Sequence, residues 1–153
     1  VLCYENLFLP DYHWEVKGVT LTTPPTNRLE LAEHYLRDAE ALMGEGDAAN
    51  ACEKAYSAAM EVVIALAEAL KVPEYEEAVK EGKWTALCLG RTANRLSKTL
   101  GKWVVRGWSS AFFLYVWGTR VGGITVEDMR QYFEEVKEMC REAKKVLKEC
   151  GLE

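Results

Sequence analysis

Residues 47–71 read DAANACEKAYSAAMEVVIALAEALK, and this stretch decides the fold class. Alanine and aliphatic residues recur in it at spacings of three and four, which is the period of an α-helix. One stripe of the helix is apolar and consists mainly of small side chains: Ala55, Ala58, Ala59, Val62, Leu66 and Ala69. Small side chains let neighbouring helices approach closely. The stretch therefore predicts a helix packed inside a helical bundle.

Helical periodicity continues on both sides of this stretch. Asn27 and Glu30 have the spacing of a capping box, and the helix that they begin is predicted to end at Gly44. Asp47 is the predicted N-cap of the alanine-rich helix. Four further helices are predicted over residues 73–82, 84–100, 104–117 and 125–150, the last with a Thr125–Asp128 cap.

These elements predict an all-α protein, an up-and-down helical bundle made of two antiparallel helical hairpins. The bundle domain is assigned to residues 27–151. Residues 1–26 lack a helical period and contain Pro24-Pro25, which is expected to forbid a helix there. They are predicted to form an extended N-terminal arm.

The most apolar and aromatic run is WSSAFFLYVWG, residues 108–118. It is shorter than the roughly 18 apolar residues of a transmembrane helix, and Arg106 precedes it. We therefore expect a bundle helix here and no membrane association. The first residues carry an acid and no basic stretch, so no signal peptide is predicted and a cytoplasmic location is expected.

The five cysteines are an odd number, with no CxxC pair and no zinc-ligand spacing. Cys140 and Cys150 are predicted to share one helix, where ten residues span about 15 Å, too far for a disulfide. We expect reduced thiols, no metal site and no cofactor. A bridge at Cys52 or Cys88 is the alternative for a hyperthermophile, a source that the low content of asparagine and glutamine favours.

The charge distribution is the feature that points to a ligand. Residues 82–126 contain no aspartate or glutamate but seven basic residues, a formal +7 in a chain whose net charge is −5. Four of the five tryptophans also lie there. Basic residues interleaved with aromatic ones indicate a polyanion-binding face. The predicted ligand-binding residues are Arg91, Arg95, Lys98, Lys102, Arg106, Trp108, Tyr115 and Arg120.

The first four of these residues recur at three or four positions, as along one ridge of a helix. The alternative interpretation is structural: the basic residues pair with acidic helices, within the fold or across a dimer, and the tryptophans are core anchors. The net acidity of the chain also argues against a dedicated duplex-binding protein.

No catalytic motif is present. The chain has only two histidines, His13 and His34, and contains neither a Gly-rich phosphate loop nor a nucleophile motif. We therefore predict no catalytic residue and no metal ligand.

Three stretches follow one another along the chain: LELAEHYLRDAEALMGEGDAANACEKAYSAAMEVVIALAEALKVPEYEEA, GKWT and RGWSSAFFLYVWG. In this order they resemble the archaeal PaREP family, in its first subfamily. Members are short helical proteins, largely from hyperthermophilic crenarchaea, grouped with the HEPN-like superfamily. The resemblance covers roughly residues 28–147 and leaves out the arm.

The resemblance implies an intracellular up-and-down bundle, commonly a homodimer, without an established biochemical activity. Many HEPN relatives are metal-independent ribonucleases that use an arginine and a histidine separated by four to six residues across a dimer. Others bind nucleotides or partner a nucleotidyltransferase in toxin–antitoxin pairs.

Two positions bear on ribonuclease chemistry. Arg28 and His34 fit the Arg–His spacing but lie in the first helix, where six residues correspond to about 240° of rotation, so the two would not share a face. PaREP relatives often have a histidine at the position of Tyr115, and a phenol with a pKa of about 10 is a poor general base. Tyr115 is then either a stacking or hydrogen-bonding residue of a binding site, or a tyrosine packed in the core or a dimer interface.

We therefore expect a non-catalytic protein that binds a nucleotide or RNA at residues 82–126, or forms a complex. The alternatives are a metal-independent HEPN-type ribonuclease and a structural partner in a toxin–antitoxin-like pair of genes. Whether residues 82–126 form a groove or a dimer seam stays open.

Overall fold

The computed structural model describes residues 25–151, which form six α-helices and one π-helical segment. They are α1 (Pro25–Gly44), α2 (Ala48–Ala69), α3 (Pro73–Glu81), α4 (Ala86–Leu100), α5 (Trp103–Leu114), the π-segment (Tyr115–Val121) and α6 (Val126–Glu149). No strand occurs in this range, so the predicted all-α class is confirmed. Residues 1–24 of the predicted arm lie outside the described part of the chain.

Helix α2 is the centre of the bundle. Every residue from 58 to 67 is buried, whereas the sequence predicted a single apolar stripe. The difference arises because α1, α3, α4, α5, the π-segment and α6 all pack against α2, which leaves this part of the helix no face for solvent. The alanines keep the surrounding helices close, so one helix can contact so many neighbours.

The helices form two antiparallel hairpins, and the second packs against α2 of the first. The first joins α1 to α2, and the Asp47 side chain accepts a 3.2 Å hydrogen bond from the Asn50 amide as the N-cap of α2. The second joins α5 and the π-segment to α6. There the Thr125 hydroxyl and the Asp128 carboxylate cap the helix reciprocally, as the sequence predicted.

The first helix begins earlier than predicted. Pro25 is its first residue, so the expectation that the proline pair excludes a helix there is wrong. Proline is tolerated in the first turn because its missing N–H would have no helical partner. Asn27 consequently lies inside α1 and is not its cap. Cys150, predicted to lie in the last helix with Cys140, is the exposed C-cap of α6.

The aromatic helix also departs from its prediction. It was expected to end near Gly118, but the chain continues to Val121 as a π-segment, which closes with a 3.1 Å bond from the Gly122 amide to the Trp117 carbonyl. Gly118 lies against α2: a Cβ there would be 2.5 Å from the Cys52 Sγ. Glycine therefore permits a close approach to α2 instead of ending the helix.

Four cysteines lie in the described range, and all four are free thiols: Cys52, Cys88, Cys140 and Cys150. This agrees with the expected reduced state, while Cys3 lies outside the described residues. Within the same range, no helix is both long and apolar enough to cross a membrane.

The close packing of α5 on α6 can be tested by a substitution at Gly107. A Cβ at this position would lie 2.5 Å from the Met139 Cβ, so Gly107→Ala forces the two helices apart. We expect a loss of about 1–3 kcal/mol in the free energy of unfolding, measured by urea denaturation. Gly44→Ala is the matched control, because a Cβ there meets nothing within 4 Å. The control should be neutral or slightly stabilising, and equal stability of both variants would contradict the close contact.

Candidate functional site

The predicted basic ridge lies on the solvent side of α4. Arg91, Arg95 and Lys98 are all exposed there, and Lys102 is exposed just before α5. The opposite face of α4 is buried against the bundle through Leu89, Thr92, Ala93 and Leu96. The spacing that keeps one face in the core thus places the basic side chains together on the other.

Arg95 is held in place by the short helix α3. Its Nε lies 2.7 Å and 2.9 Å from the two carboxylate oxygens of Glu74, whose side chain is only 11% exposed. Burial alone would raise the pKa of Glu74, but the hydrogen bond from Arg95, with the charge of Arg91 nearby, lowers it below the usual value. One of the ridge cations is therefore partly neutralised within the fold, as the structural alternative proposed.

Arg106 and Arg120 do not form one cluster with each other. The Arg106 Nε lies 4.0 Å from a carboxylate oxygen of Glu135 on α6. Arg120 is exposed in the π-segment, 14 residues further along the same continuous helix. That separation corresponds to about 20 Å. The eight predicted ligand-binding residues therefore do not converge on a single pocket.

The tryptophans are mainly core residues. Trp84 and Trp108 are 1% and 6% exposed, and the Trp103 indole donates a 3.0 Å hydrogen bond to the Leu100 carbonyl. Among the tryptophans of residues 25–151, only Trp117, 42% exposed, presents a large indole surface to solvent. Burial of Trp108 supports the core interpretation of the aromatic residues, so the exposed part of α4 is basic without being aromatic.

Tyr115 packs against a second tyrosine. Its ring stacks on that of Tyr56 with centroids 4.3 Å apart and an interplanar angle of 20°. Burial, and secondarily the nearby Tyr115, raise the pKa of Tyr56 well above its ordinary value. Trp108 and Phe112 also contact Tyr56, at centroid distances of 5.6 Å and 6.4 Å. This aromatic cluster ties α5 to α2 and favours the packed alternative for Tyr115.

Arg28 and His34 face different environments. Arg28 is completely buried, and its guanidinium donates a 2.8 Å hydrogen bond to the Glu61 carboxylate of α2. The His34 side chain is 60% exposed and lies 3.5 Å from Asp38. Only one of the two could reach a ligand in solvent, so the pair that fits the ribonuclease spacing is not assembled within the chain.

A groove that the sequence did not predict lies between α1 and α6. It has a volume of about 460 Å³ and is lined by Glu40, Met43, Gly44, Arg130, Phe133, Glu134 and Lys137. The Lys137 ammonium bonds to both Glu40 and Glu134, at 3.1 Å and 2.8 Å. Three of the charged side chains that line the groove are therefore paired with one another. The sequence did not indicate this groove, because its lining joins residues about 90 positions apart.

Three thiols of the described residues, two buried and one half-buried, are poorly suited to nucleophilic chemistry. Burial raises the pKa of Cys52, Cys88 and Cys140 to about 11, so at neutral pH these thiols stay protonated. Within residues 25–151, no group of three potential metal-ligating side chains is close enough to hold an ion. The exposed face of α4 carries a row of cations, Arg91, Arg95 and Lys98.

The Arg95–Glu74 pair predicts a pH-dependent stability. The folded-state pKa of Glu74 lies below its ordinary value of 4.5, so the pair stabilises the fold above that pH and the contribution is lost as the pH falls through the lowered pKa. Arg95→Gln should cost about 1 kcal/mol in the free energy of unfolding at pH 7, and progressively less as the pH falls below 4.5. The control Arg130→Gln should cost little, because its partner Glu127 is 85% exposed. Urea denaturation at a series of pH values from 7 downwards gives the free energy of unfolding of the parent and of both variants. A cost of Arg95→Gln that is equal at every pH would contradict a stabilising ion pair.

Comparison with known proteins places the chain in a family. Residues 27–149 match the archaeal PaREP1/PaREP8 family. The crystal structure of a protein from Sulfolobus solfataricus has a similar fold, with a TM-score of 0.68 and 26% sequence identity, covering 76% of this chain and 95% of the Sulfolobus chain. No protein of curated function gives a significant match. The predicted PaREP resemblance is thereby confirmed at the level of the family, and the chain belongs to the archaeal PaREP1/PaREP8 family.

Proposed function

We propose that this chain is a non-catalytic, HEPN-like binding protein that holds the phosphates of RNA or a nucleotide on the exposed face of α4. The observation that carries the proposal is the exposure of Arg91, Arg95 and Lys98 on one face of that helix, within a segment of 45 residues that contains no acid. Exposed cations in a row bind a polyanion by displacing its condensed counterions.

The position of Arg95 supports phosphate contact. Glu74 holds its Nε, so the guanidinium loses less side-chain freedom when a ligand binds. The terminal nitrogens of an arginine can still donate to a phosphate while its Nε is occupied, because the guanidinium has five N–H donors. Lys98 and Arg91 add charge one turn away on either side. The ridge is thus partly preorganised, although its net charge is reduced by Glu74.

Burial of the tryptophans defines the expected mode of binding. Trp84 and Trp108 are packed in the core and cannot stack on a base unless the bundle opens. Recognition on α4 is therefore expected to rest on phosphates, which carry no sequence information, rather than on base edges. The ligand class is a flexible, single-stranded polyanion bound with low sequence preference and strong salt dependence.

The proposal of a non-catalytic role rests on the surroundings of Arg28 and Tyr115. Arg28 is engaged with Glu61 in the interior, and Tyr115 is stacked on Tyr56. The ribonuclease alternative would need a histidine and an arginine brought together at an exposed surface. His34 is the only exposed histidine of the described residues, so it is the residue with which that alternative can be tested.

Binding to a fluorescently labelled single-stranded RNA tests the proposal. With three or four phosphate contacts, the logarithm of the affinity should fall with the logarithm of salt concentration with a slope of about −2 to −3. Arg91→Glu/Lys98→Glu should weaken binding about tenfold or more and flatten this slope, and it leaves the Arg95–Glu74 pair in place. Fluorescence anisotropy from low to moderate salt gives both values.

Lys145→Glu/Lys148→Glu is the matched control, because it changes the net charge equally at exposed positions of α6. Equal weakening by both double variants would mean that binding follows net charge and not the ridge, and would contradict the proposal.

The RNA recovered after incubation is analysed on a denaturing gel with and without EDTA. Intact RNA is expected, whereas metal-independent cleavage that is lost in His34→Ala would establish the ribonuclease alternative.

A further inference from the structure

A row of side chains runs along α5 and into the π-segment. Lys102, Arg106, Ser109, Phe113 and Trp117 follow one another at spacings of three or four residues, which places them on one side of this continuous helix. The rings of Phe113 and Trp117 contact each other with centroids 6.0 Å apart, so the alignment continues into the π-segment. These five residues, the α5 stripe, are basic at the end next to the α4 ridge and aromatic at the other end.

The aromatic end of the stripe is a braced platform. Phe113 stacks on Tyr132 of α6 with ring centroids 4.3 Å apart and an interplanar angle of 21°, and its other aromatic neighbour is Trp117. Phe113 and Tyr132 are half-buried, whereas Trp117 is 42% exposed. Because Phe113 braces the indole, less side-chain freedom is lost when a second flat ring stacks on its exposed surface.

The charges beside the platform indicate what it binds. Residues 82–126 contain no acid, and Lys102 and Arg106 lie on the same side of the helix as Trp117. The Arg106 side chain is 53% exposed, although its Nε lies 4.0 Å from a carboxylate oxygen of Glu135. A single-stranded nucleic acid has both of the groups that this arrangement suits, phosphates for the cations and bases for the indole.

The charges of α6 indicate the direction that the strand takes. Glu135 borders the stripe and repels phosphates, so a strand is expected to follow α5 rather than to cross α6. The α6 cations Lys137 and Lys144 bond to Glu40 and Glu33 of α1, at 3.1 Å and 2.8 Å. The stripe thus leads from the α4 ridge to the platform along α5.

We propose that Trp117 stacks on a base of a single-stranded RNA whose phosphates are held by the α4 ridge and by Arg106. This inference rests on the proposed function, because the ridge brings the strand to the stripe. The platform supplies a base contact that Trp84 and Trp108 do not supply, since both are packed in the core. Stacking tolerates any sequence, because every base has a flat π-face.

The length of the stripe sets a minimum size for the ligand. Arg106 and Trp117 are 11 residues apart along the continuous helix, which corresponds to about 16 Å. At about 3.4 Å per nucleotide of a stacked strand, this distance spans about five nucleotides. A mononucleotide cannot reach both residues, so the ligand class becomes an oligonucleotide.

Fluorescence anisotropy with two labelled strands of about ten nucleotides tests the stacking site: one is RNA, and the other has the same phosphates but no bases. Trp117→Ala should weaken binding of the RNA about tenfold, the loss expected for one stacked base, and leave binding of the baseless strand unchanged. Trp117→Phe should keep part of the affinity, because its ring still stacks. Val79→Ala is the control, since Val79 is 46% exposed on α3 and outside the stripe. Circular dichroism checks that each variant keeps its helix content.

The outcomes separate this inference from the proposed function. Equal affinity of the parent for the two strands would overturn the stacking site. A Trp117→Ala variant that binds RNA like the parent would also overturn it, and is the result that a protein interface at the platform would give. If RNA binding is then still weakened by Arg91→Glu/Lys98→Glu, the proposed function stands without the platform. A parent that binds no RNA would overturn both.

A charge variant tests the direction of the strand. Glu135→Gln should tighten RNA binding about threefold, because it removes the negative charge beside Arg106. Glu30→Gln is the matched control, since it changes the net charge equally at an exposed position of α1. The same anisotropy titration measures both variants. A Glu135→Gln variant that binds no more tightly than Glu30→Gln would contradict a strand that follows α5.

Discussion

Burial of α2 on all sides is the constraint on which the rest of the structure depends. From residue 58 to 67 this helix has no exposed position, so the other helices are located by where they can pack against it. Close packing of this kind needs small residues at the contacts. The alanines of α2 are such residues, and so is Gly118, which lets the π-segment approach Cys52 of α2 closely.

Burying α2 also buries one carboxylate, that of Glu61. Desolvation raises the pKa of Glu61, and the hydrogen bond and the charge of Arg28 act against this rise. An isolated buried charge is costly, so the start of α1 is tied to the interior by this ion pair. The same contact takes Arg28 away from solvent and so separates it from the exposed His34. The packing of the bundle therefore explains why these two residues do not form a pair.

Local signals in the sequence predicted several helix boundaries correctly, although the cap at Asn27 and the helix end at Gly118 were wrong. The Asp47 cap, the Thr125–Asp128 capping box and the left-handed Gly82 after α3 are all contained in short stretches of chain. The continuation of the helix past Gly118 was not predicted, because the close approach of Gly118 to Cys52 of α2 is a tertiary contact that the local sequence does not show. For the same reason a helical period shows which residues recur on one side of a helix but not how many sides are buried.

The candidate site was predicted only in part. The spacing of Arg91, Arg95 and Lys98 was sufficient to place them on one exposed face, since α4 has a single buried side. The tryptophans gave a misleading signal, because indole rings are used both in ligand stacking and as core anchors. Burial decides between these roles, and it depends on tertiary contacts: the ring of Trp108 meets that of Tyr56, 52 residues away in the sequence.

The central claim is that α4 holds the phosphates of a single-stranded RNA or nucleotide. Titration of the isotope-labelled protein with a short oligonucleotide, followed by amide chemical shifts in NMR spectra, tests it most directly. The account predicts that the largest shifts fall on residues 86–100 and on Lys102, while the groove between α1 and α6 changes little. Shifts concentrated in that groove, with α4 unaffected, would contradict it.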